Sequence, residues 1–261
     1  MGKYAPVAPY PLLKDLASRQ ALERYHLLLA HEVAAHPYEY NSVIPGDSFI
    51  IMDNSVVELG APVSWDIMSR AIRTFEACQM AVVLPDVMLD SAQTVAMSRQ
   101  AANIWMLPPN SCYMAVPQGR TFDEVVNCAR ALAGIPGVGY LAVPKCVGDL
   151  VGGRSQLVEA LSNIQLPIPI PGAHIHLLGF TDNLEDDMRC CRMDAVMGID
   201  SAVPIRMGMA GHYMHLEMKG DYAGRRGTFW QDYSAPTSRL TRQALQNVHM
   251  IRTWASRTYG L

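Results

Sequence analysis

The stretch MAVVLPD (Met80–Asp86) sets five apolar residues in a row and closes on Pro85–Asp86. An apolar run without alternation marks a strand buried on both faces, the pattern of a parallel sheet rather than of a sheet wetted on one side. The same beat recurs at Tyr25–Ala30, Phe49–Met52, Cys112–Val116, Val138–Val143, His174–Leu178 and Ala195–Ile199. Helix-length amphipathic segments lie between the runs: Ser64–Cys78, Ser91–Trp105, Thr121–Ala133, Arg154–Asn163 and Thr181–Met193. Ser64, Ser91, Thr121 and Thr181 can each act as an N-cap, and Glu124 follows Thr121 at capping-box spacing. With an eighth strand expected near His212–Met218 and a closing helix over Ser238–Ser256, the pattern predicts an α/β protein, a single-domain (β/α)8 TIM-type barrel over residues 1–261. An open doubly wound sheet is the alternative.

Composition agrees with a packed domain. Of 261 residues, 50% are hydrophobic and 17% charged, enough to build a core and too few charges for a disordered chain. No apolar run approaches the roughly 20 residues that cross a bilayer. The N-terminal MGKYAPVAPYPLLKDLASR has no basic patch followed by an apolar stretch, so a soluble cytoplasmic protein with no membrane partner is expected. Six scattered cysteines without a CxxC pair read as reduced, buried thiols. The net charge of −3 hides a gradient, +5 from Arg206 onward against −8 before it. That basic tail includes Arg225 and Arg226, with Tyr222, Phe229, Trp230, Tyr233 and Trp254 interleaved. It reads either as a grip on a phosphate backbone or as a solvated helix face with a loop.

In a parallel barrel the chemistry sits at the carboxyl ends of the strands. There the runs deliver His31–Glu32, Asp53–Asn54, Pro85–Asp86, Pro117–Gln118–Gly119, Pro144–Lys145, Gly179–Phe180 and Asp200–Ser201. One acid at a strand end is commonly a turn former, but three on one mouth repel unless a ligand or a reaction uses them. Two carboxylates flanking a sugar C1′ suit glycosyl transfer, one attacking or stabilising and the other moving a proton. A divalent-metal hydrolase is the competing reading. His26, His174 and His176 fall within strands, however, and only the alternating pair His174–His176 would share a side.

Six segments then carry a resemblance, in order along the chain. MGIDSAVPIRMG (Met197–Gly208) resembles the tRNA-guanine transglycosylase motif of an aspartate, a short apolar stretch and Pro-x-Arg, here Asp200, Pro204 and Arg206. HLLGFTDNLEDDM (His176–Met188) is similar to that family's Leu-x-Gly strand end, which places Gly179 at the site. IIMDNSVVELG (Ile50–Gly60), VVLPDVMLD (Val82–Asp90), AVPQG (Ala115–Gly119) and GYLAVPK (Gly139–Lys145) resemble the remaining motifs. The Asp-Asn form and the compact length look most like the branch that inserts 7-deazaguanines into DNA.

The resemblance implies a base exchange through a covalent aspartyl intermediate. Asp200 would be the nucleophile and Asp53 the general acid/base. Asp86 would read the N1 and 2-amino edge of guanine. Gln118, with Gly119, Tyr140 and Leu141, would hold the O6 side and the 7-substituent. Arg206, Arg225 and Arg226 would contact nucleic acid. The implied partners are DNA, or alternatively tRNA, and a free 7-deazaguanine such as the 7-cyano base; a homodimer is left open. A flipped or single-stranded target follows, because C1′ of a stacked nucleotide is out of reach. The family's structural zinc motif is missing, since no cysteine follows Cys191, so no zinc, no other cofactor and no zinc subdomain are expected. The glycines that follow the first aspartate in the tRNA enzymes are Ser55 and Val56 here. A tRNA-acting enzyme and a non-catalytic nucleic-acid-binding barrel remain the alternatives.

Overall fold

The computed structural model describes residues 2–18, 23–168, 172–215 and 238–256. In chain order its elements begin with β1 (Lys3–Pro6), α1 (Tyr10–Ser18), β2 (Tyr25–Leu29), α2 (Ala30–Ala35), α3 (Pro37–Val43) and β3 (Phe49–Asp53). There follow α4 (Val56–Leu59), α5 (Trp65–Arg73), β4 (Gln79–Val83), α6 (Ser91–Ile104), β5 (Ser111–Ala115) and α7 (Phe122–Ala133). The chain ends with β6 (Val138–Pro144), α8 (Lys145–Leu150), α9 (Ser155–Ser162), β7 (Ile175–Leu178), α10 (Leu184–Cys190), β8 (Val196–Ser201), α11 (Val203–Met209) and α12 (Ser238–Ser256). All seven hydrogen-bonded strand pairs are parallel, in the order β1-β8-β7-β6-β5-β4-β3-β2. The result is a nearly closed (β/α)8 barrel whose seam lies between β1 and β2.

One strand is not where the apolar pattern put it. The segment expected near His212–Met218 forms no strand over His212–His215, and residues 216–218 lie outside the described set. The missing strand is β1, which pairs Tyr4 with Ile199 and Ala5 with Asp200. Two caps also moved. Asp90, not Ser91, accepts from Gln93 N–H at the start of α6, and Asn183, not Thr181, accepts from Asp186 N–H at α10. Ser64 and Thr121 do cap their helices, while the Glu124 carboxylate reaches back to Arg120 N–H rather than to Thr121.

Alternating side chains sort into two apolar layers. Ala5, Val7, Leu27, Leu29, Ile51, Ala81, Val83, Met114, Val116 and Ala142 fill the barrel interior, and a larger cluster packs the outer strand faces against the helices. The interior is floored by aromatic rings. Tyr25 stacks on Phe49 at 5.8 Å, and Phe49 meets Tyr140 edge-on at 5.5 Å. Room for Tyr25 comes from Gly198 on β8. A Cβ there would lie 2.5 Å from the Lys3 carbonyl oxygen and 2.7 Å from the Tyr25 ring, closer than carbon atoms approach. Among the described residues no helix is long and apolar enough to cross a membrane.

Gly198→Ala should therefore force apart β1, β8 and the Tyr25 ring. The expected loss is about 1–3 kcal/mol, the ordinary range for overpacking a dense core. Urea unfolding monitored by circular dichroism measures it, and a stability equal to wild type would mean the close approach is relieved at no cost.

Candidate active site

The carboxyl ends of the strands open onto a cavity of about 360 Å³, within the range of small-molecule sites. Asp53, Asp86 and Asp200 all line it, with Gln118, Lys145, Cys146, Glu58, Gly179 and Phe180. Each acid arrives by a different route. Asp53 is the last residue of β3, Asp86 lies in the loop after β4, and Asp200 is carried on β8.

Asp200 is held by two groups on one oxygen. Its Oδ1 lies 3.0 Å from His176 Nε2 and accepts from Gly179 N–H at 3.2 Å. His176 Nδ1 in turn lies 2.6 Å from the Tyr25 hydroxyl. The Gly179 turn has φ +66°, a left-handed conformation that glycine adopts without penalty. It is fixed from outside the barrel by Arg154, which is 0% exposed. The guanidinium donates to the carbonyls of Gly179 (2.7 Å) and Leu178 and pairs with the Asp187 carboxylate at 3.2 Å. A cation this deep is retained where its partners satisfy it, and removing one partner of such a pair is strongly destabilising.

Asp86 is caged by amides. Asn54 Nδ2 donates to Oδ1 at 2.8 Å and Gln118 Nε2 to Oδ2 at 2.7 Å. Asn54 also donates to the Leu84 carbonyl and accepts from Val56 N–H, and the Gln118 carbonyl accepts from Leu89 N–H at 3.0 Å. Burial raises the Asp86 carboxyl above its ordinary range, while both amides act in the opposite direction. Asp53 is pushed well above the usual carboxylate range, first by burial and then by the Glu58 charge. The Ser55 N–H hydrogen bond (2.7 Å) opposes the shift, and Asp200 and Asp86 add to it. Ser55 has φ +61°, a left-handed backbone conformation that costs a residue with a side chain about 1–2 kcal/mol.

Other expected contacts are placed elsewhere. Tyr140 lies in mid-strand on β6, one layer below the cavity against Phe49, because β6 runs on to Pro144 and its end is Pro144–Lys145. Leu141 alternates outward into the helix-facing layer. Gly119 packs against Glu124 and Val125 at the start of α7. Arg206 is on α11 and outside the cavity lining, and Arg225 and Arg226 lie outside the described residues. His31 and Glu32 lie on α2, paired with each other at 3.3 Å. His174 precedes β7 while His176 is buried beside Asp200, so the two do not form a pair at the mouth. Among the described residues no three His, Cys, Asp or Glu side chains are grouped to hold a metal ion.

Several contributors were given no role by the reading of strand ends. Asn54 and Lys145 were named at strand ends but given no role; Lys145 Nζ pairs with Asp182 at 3.0 Å. Arg154 gave no signal beyond a helix start, and Tyr25 gave none, since its role depends on reaching across the barrel.

No family model and no curated protein matches the chain. Among solved structures it is similar to the N-acetylneuraminate lyase of Proteus mirabilis, at 12% identity over 81% of this chain and 75% of that one, with a TM-score of 0.42. It is similar also to the CitE protein of Mycobacterium tuberculosis (9% identity, 95% and 98% covered, TM-score 0.43). A third is the YdjI aldolase of Escherichia coli K12 (10%, 94% and 94%, 0.41). Likenesses this distant carry no argument about chemistry or substrate.

The Asp53 environment has a measurable consequence for stability. An acid whose pKa is raised on folding binds its proton more tightly in the native state, so stability falls as pH climbs from the ordinary value of 3.8 toward the raised one. Asp53→Asn, which keeps an oxygen to accept from Ser55 N–H, should be more stable than wild type at pH 7. The difference should vanish below about pH 4. Thermal unfolding of both proteins across that range checks it; a variant less stable at pH 7 would contradict the assignment.

Proposed function

We propose that the protein is a pentosyltransferase that replaces guanine in DNA with a 7-deazaguanine. The observation that carries the reading is the unequal treatment of carboxyls sharing one cavity. Asp53 is driven toward its protonated form, while Asp200 receives two hydrogen bonds on a single oxygen. A carboxyl that favours its proton beside a carboxylate pinned through one oxygen suits a proton carrier and a nucleophile.

The steps follow from those positions. The target nucleotide leaves the stack and enters the cavity. Oδ2 of Asp200 attacks C1′ as the bond to guanine N9 breaks and its electron pair passes to the base. Protonated Asp53 delivers its proton to the departing purine, leaving free guanine and an aspartyl–deoxyribose ester. After guanine is exchanged for the 7-deazaguanine, the Asp53 carboxylate removes the N9 proton of the incoming base. N9 then attacks C1′, and the Asp200 carboxylate is released. Asp86 has lone pairs beyond those used by Asn54 and Gln118 and accepts from N1–H and the 2-amino group, two donors that adenine does not present together. The second N–H of the Gln118 amide serves the O6 side. The basic tail, with Arg225 and Arg226, is assigned to the phosphate backbone on its charge alone.

Two measurements test the reading. Guanine-labelled DNA and tRNA are each incubated with enzyme and 7-cyano-7-deazaguanine, and release of label is followed. Label released from DNA supports the proposal, release confined to tRNA sends the assignment to the RNA-acting enzymes, and release from neither removes it. In denaturing gels, Asp200→Asn should form no adduct with the nucleic acid. Asp53→Asn should leave Asp200 able to attack but slow both proton transfers, lowering turnover by about 100-fold or more.

A further inference from the structure

The hydrogen-bonded chain behind Asp200 spans the barrel and is separate from every group that would touch a substrate. The His176 ring on β7 links the Tyr25 hydroxyl on β2, at 2.6 Å, to Asp200 Oδ1 on β8, at 3.0 Å. Tyr25 is 2% exposed and His176 0%. Neither ring lines the cavity, so the chain reaches the site only through Asp200. Gly198, on the same strand as Asp200, is what lets the Tyr25 ring stand there.

The donor directions can be worked out. A carboxylate oxygen only accepts, so His176 Nε2 carries the hydrogen. In the neutral ring Nδ1 is then an acceptor, and the Tyr25 O–H must donate to it. Burial, with the Asp200 charge, drives the Tyr25 phenol pKa upward, so the hydroxyl keeps its proton.

We propose that Tyr25 and His176 are positioning residues that lock His176 in its Nε2–H tautomer and pin Oδ1 of Asp200, so that Oδ2 alone faces the cavity as the nucleophilic oxygen. This rests on Asp200 being the nucleophile. The tautomer is a property of the resting protein and can be read without any substrate. A carboxylate free to rotate about its Cβ–Cγ bond would present either oxygen, and aligning it would then be left to the moment of attack.

The experiment has an activity-independent arm and a kinetic arm. Full-length protein labelled with 15N-histidine is examined by NMR, with the His176 signals identified by their loss in His176→Gln. The expected spectrum shows a neutral ring protonated at Nε2, and Tyr25→Phe, which lacks the donor to Nδ1, moves the Nδ1 resonance while the hydrogen stays on Nε2 beside Asp200. A wild-type ring protonated at Nδ1 overturns the proposal. In the kinetic arm, adduct formation with guanine-containing DNA is followed in wild type, His176→Gln and His176→Leu. Leu should slow the step at saturating DNA by about 10- to 100-fold, the range for a hydrogen bond to a charged group, with the half-saturating concentration changed by less than about twofold. Gln, which can place an amide N–H toward Oδ1, should recover most of that loss. Equal losses in Gln and Leu, or none in Leu, overturn the proposal. An adduct still formed by Asp200→Asn would sink the nucleophile assignment instead, and the NMR result separates that failure from a failure of the positioning chain.

Discussion

Asp53, Asp86 and Asp200 face one cavity at the end of a nearly closed sheet, where like charges disfavour one another. The wide end of the barrel is organised around that repulsion, with a different remedy for each acid. Asp86 is surrounded by amide donors from Asn54 and Gln118, themselves tied down by backbone groups. Asp200 is given donors from the β7 turn and from a ring in the barrel core. Asp53 is left beside Glu58 with a backbone donor from Ser55, and its pKa rises. Three carboxyls of one residue type thereby acquire three distinct chemical characters.

Support for this arrangement extends past the barrel wall. Arg154 stands at the N-terminus of α9, in the helix layer, yet its guanidinium holds the carbonyls of the turn whose next N–H group fixes Asp200. Asp187 on α10 balances the charge, and Asp186 accepts from the Arg154 backbone. Outer helices therefore set the position of an inner oxygen through a charged contact that tolerates little displacement, since an uncompensated guanidinium in that place would be severely destabilising.

How much of this could be read from the amino acids varies with the range of the interaction. Parallel strands buried on both faces leave a strong local signature, and the rule that their carboxyl ends share one mouth brought Asp53, Asp86, Gln118 and Asp200 together without coordinates. Lys3–Pro6 escaped because KYAP is short, begins with a lysine and ends in proline; its strand character comes from pairing with β8. Tyr140 and Leu141 were set at the mouth by motif position, but β6 extends three residues past Leu141. His176 was seen as a strand histidine and no more, because what gives it a role is Tyr25, 151 residues away in sequence and brought near by barrel curvature. The tail around Arg225 and Arg226 lies outside the described residues, so its charge is known and its placement is not part of the fold account.

The pairing of the first strand with the last bears on how the molecule comes to exist. β8 holds Asp200, and its partner β1 comes first among the strands; the Tyr4 hydroxyl ties the two together by donating to the Ser201 carbonyl, 197 residues away, at 2.7 Å. A growing chain can therefore assemble β2 through β7 side by side while residues 3–6 wait without a ladder partner on β8. The order of translation thus makes the completed cavity a late product of folding, since closing so long a loop is among the slowest kinds of contact a chain must make. Until β8 is added, the edge of β7 is open to pairing with other chains, the period in which a nascent barrel is most exposed to aggregation.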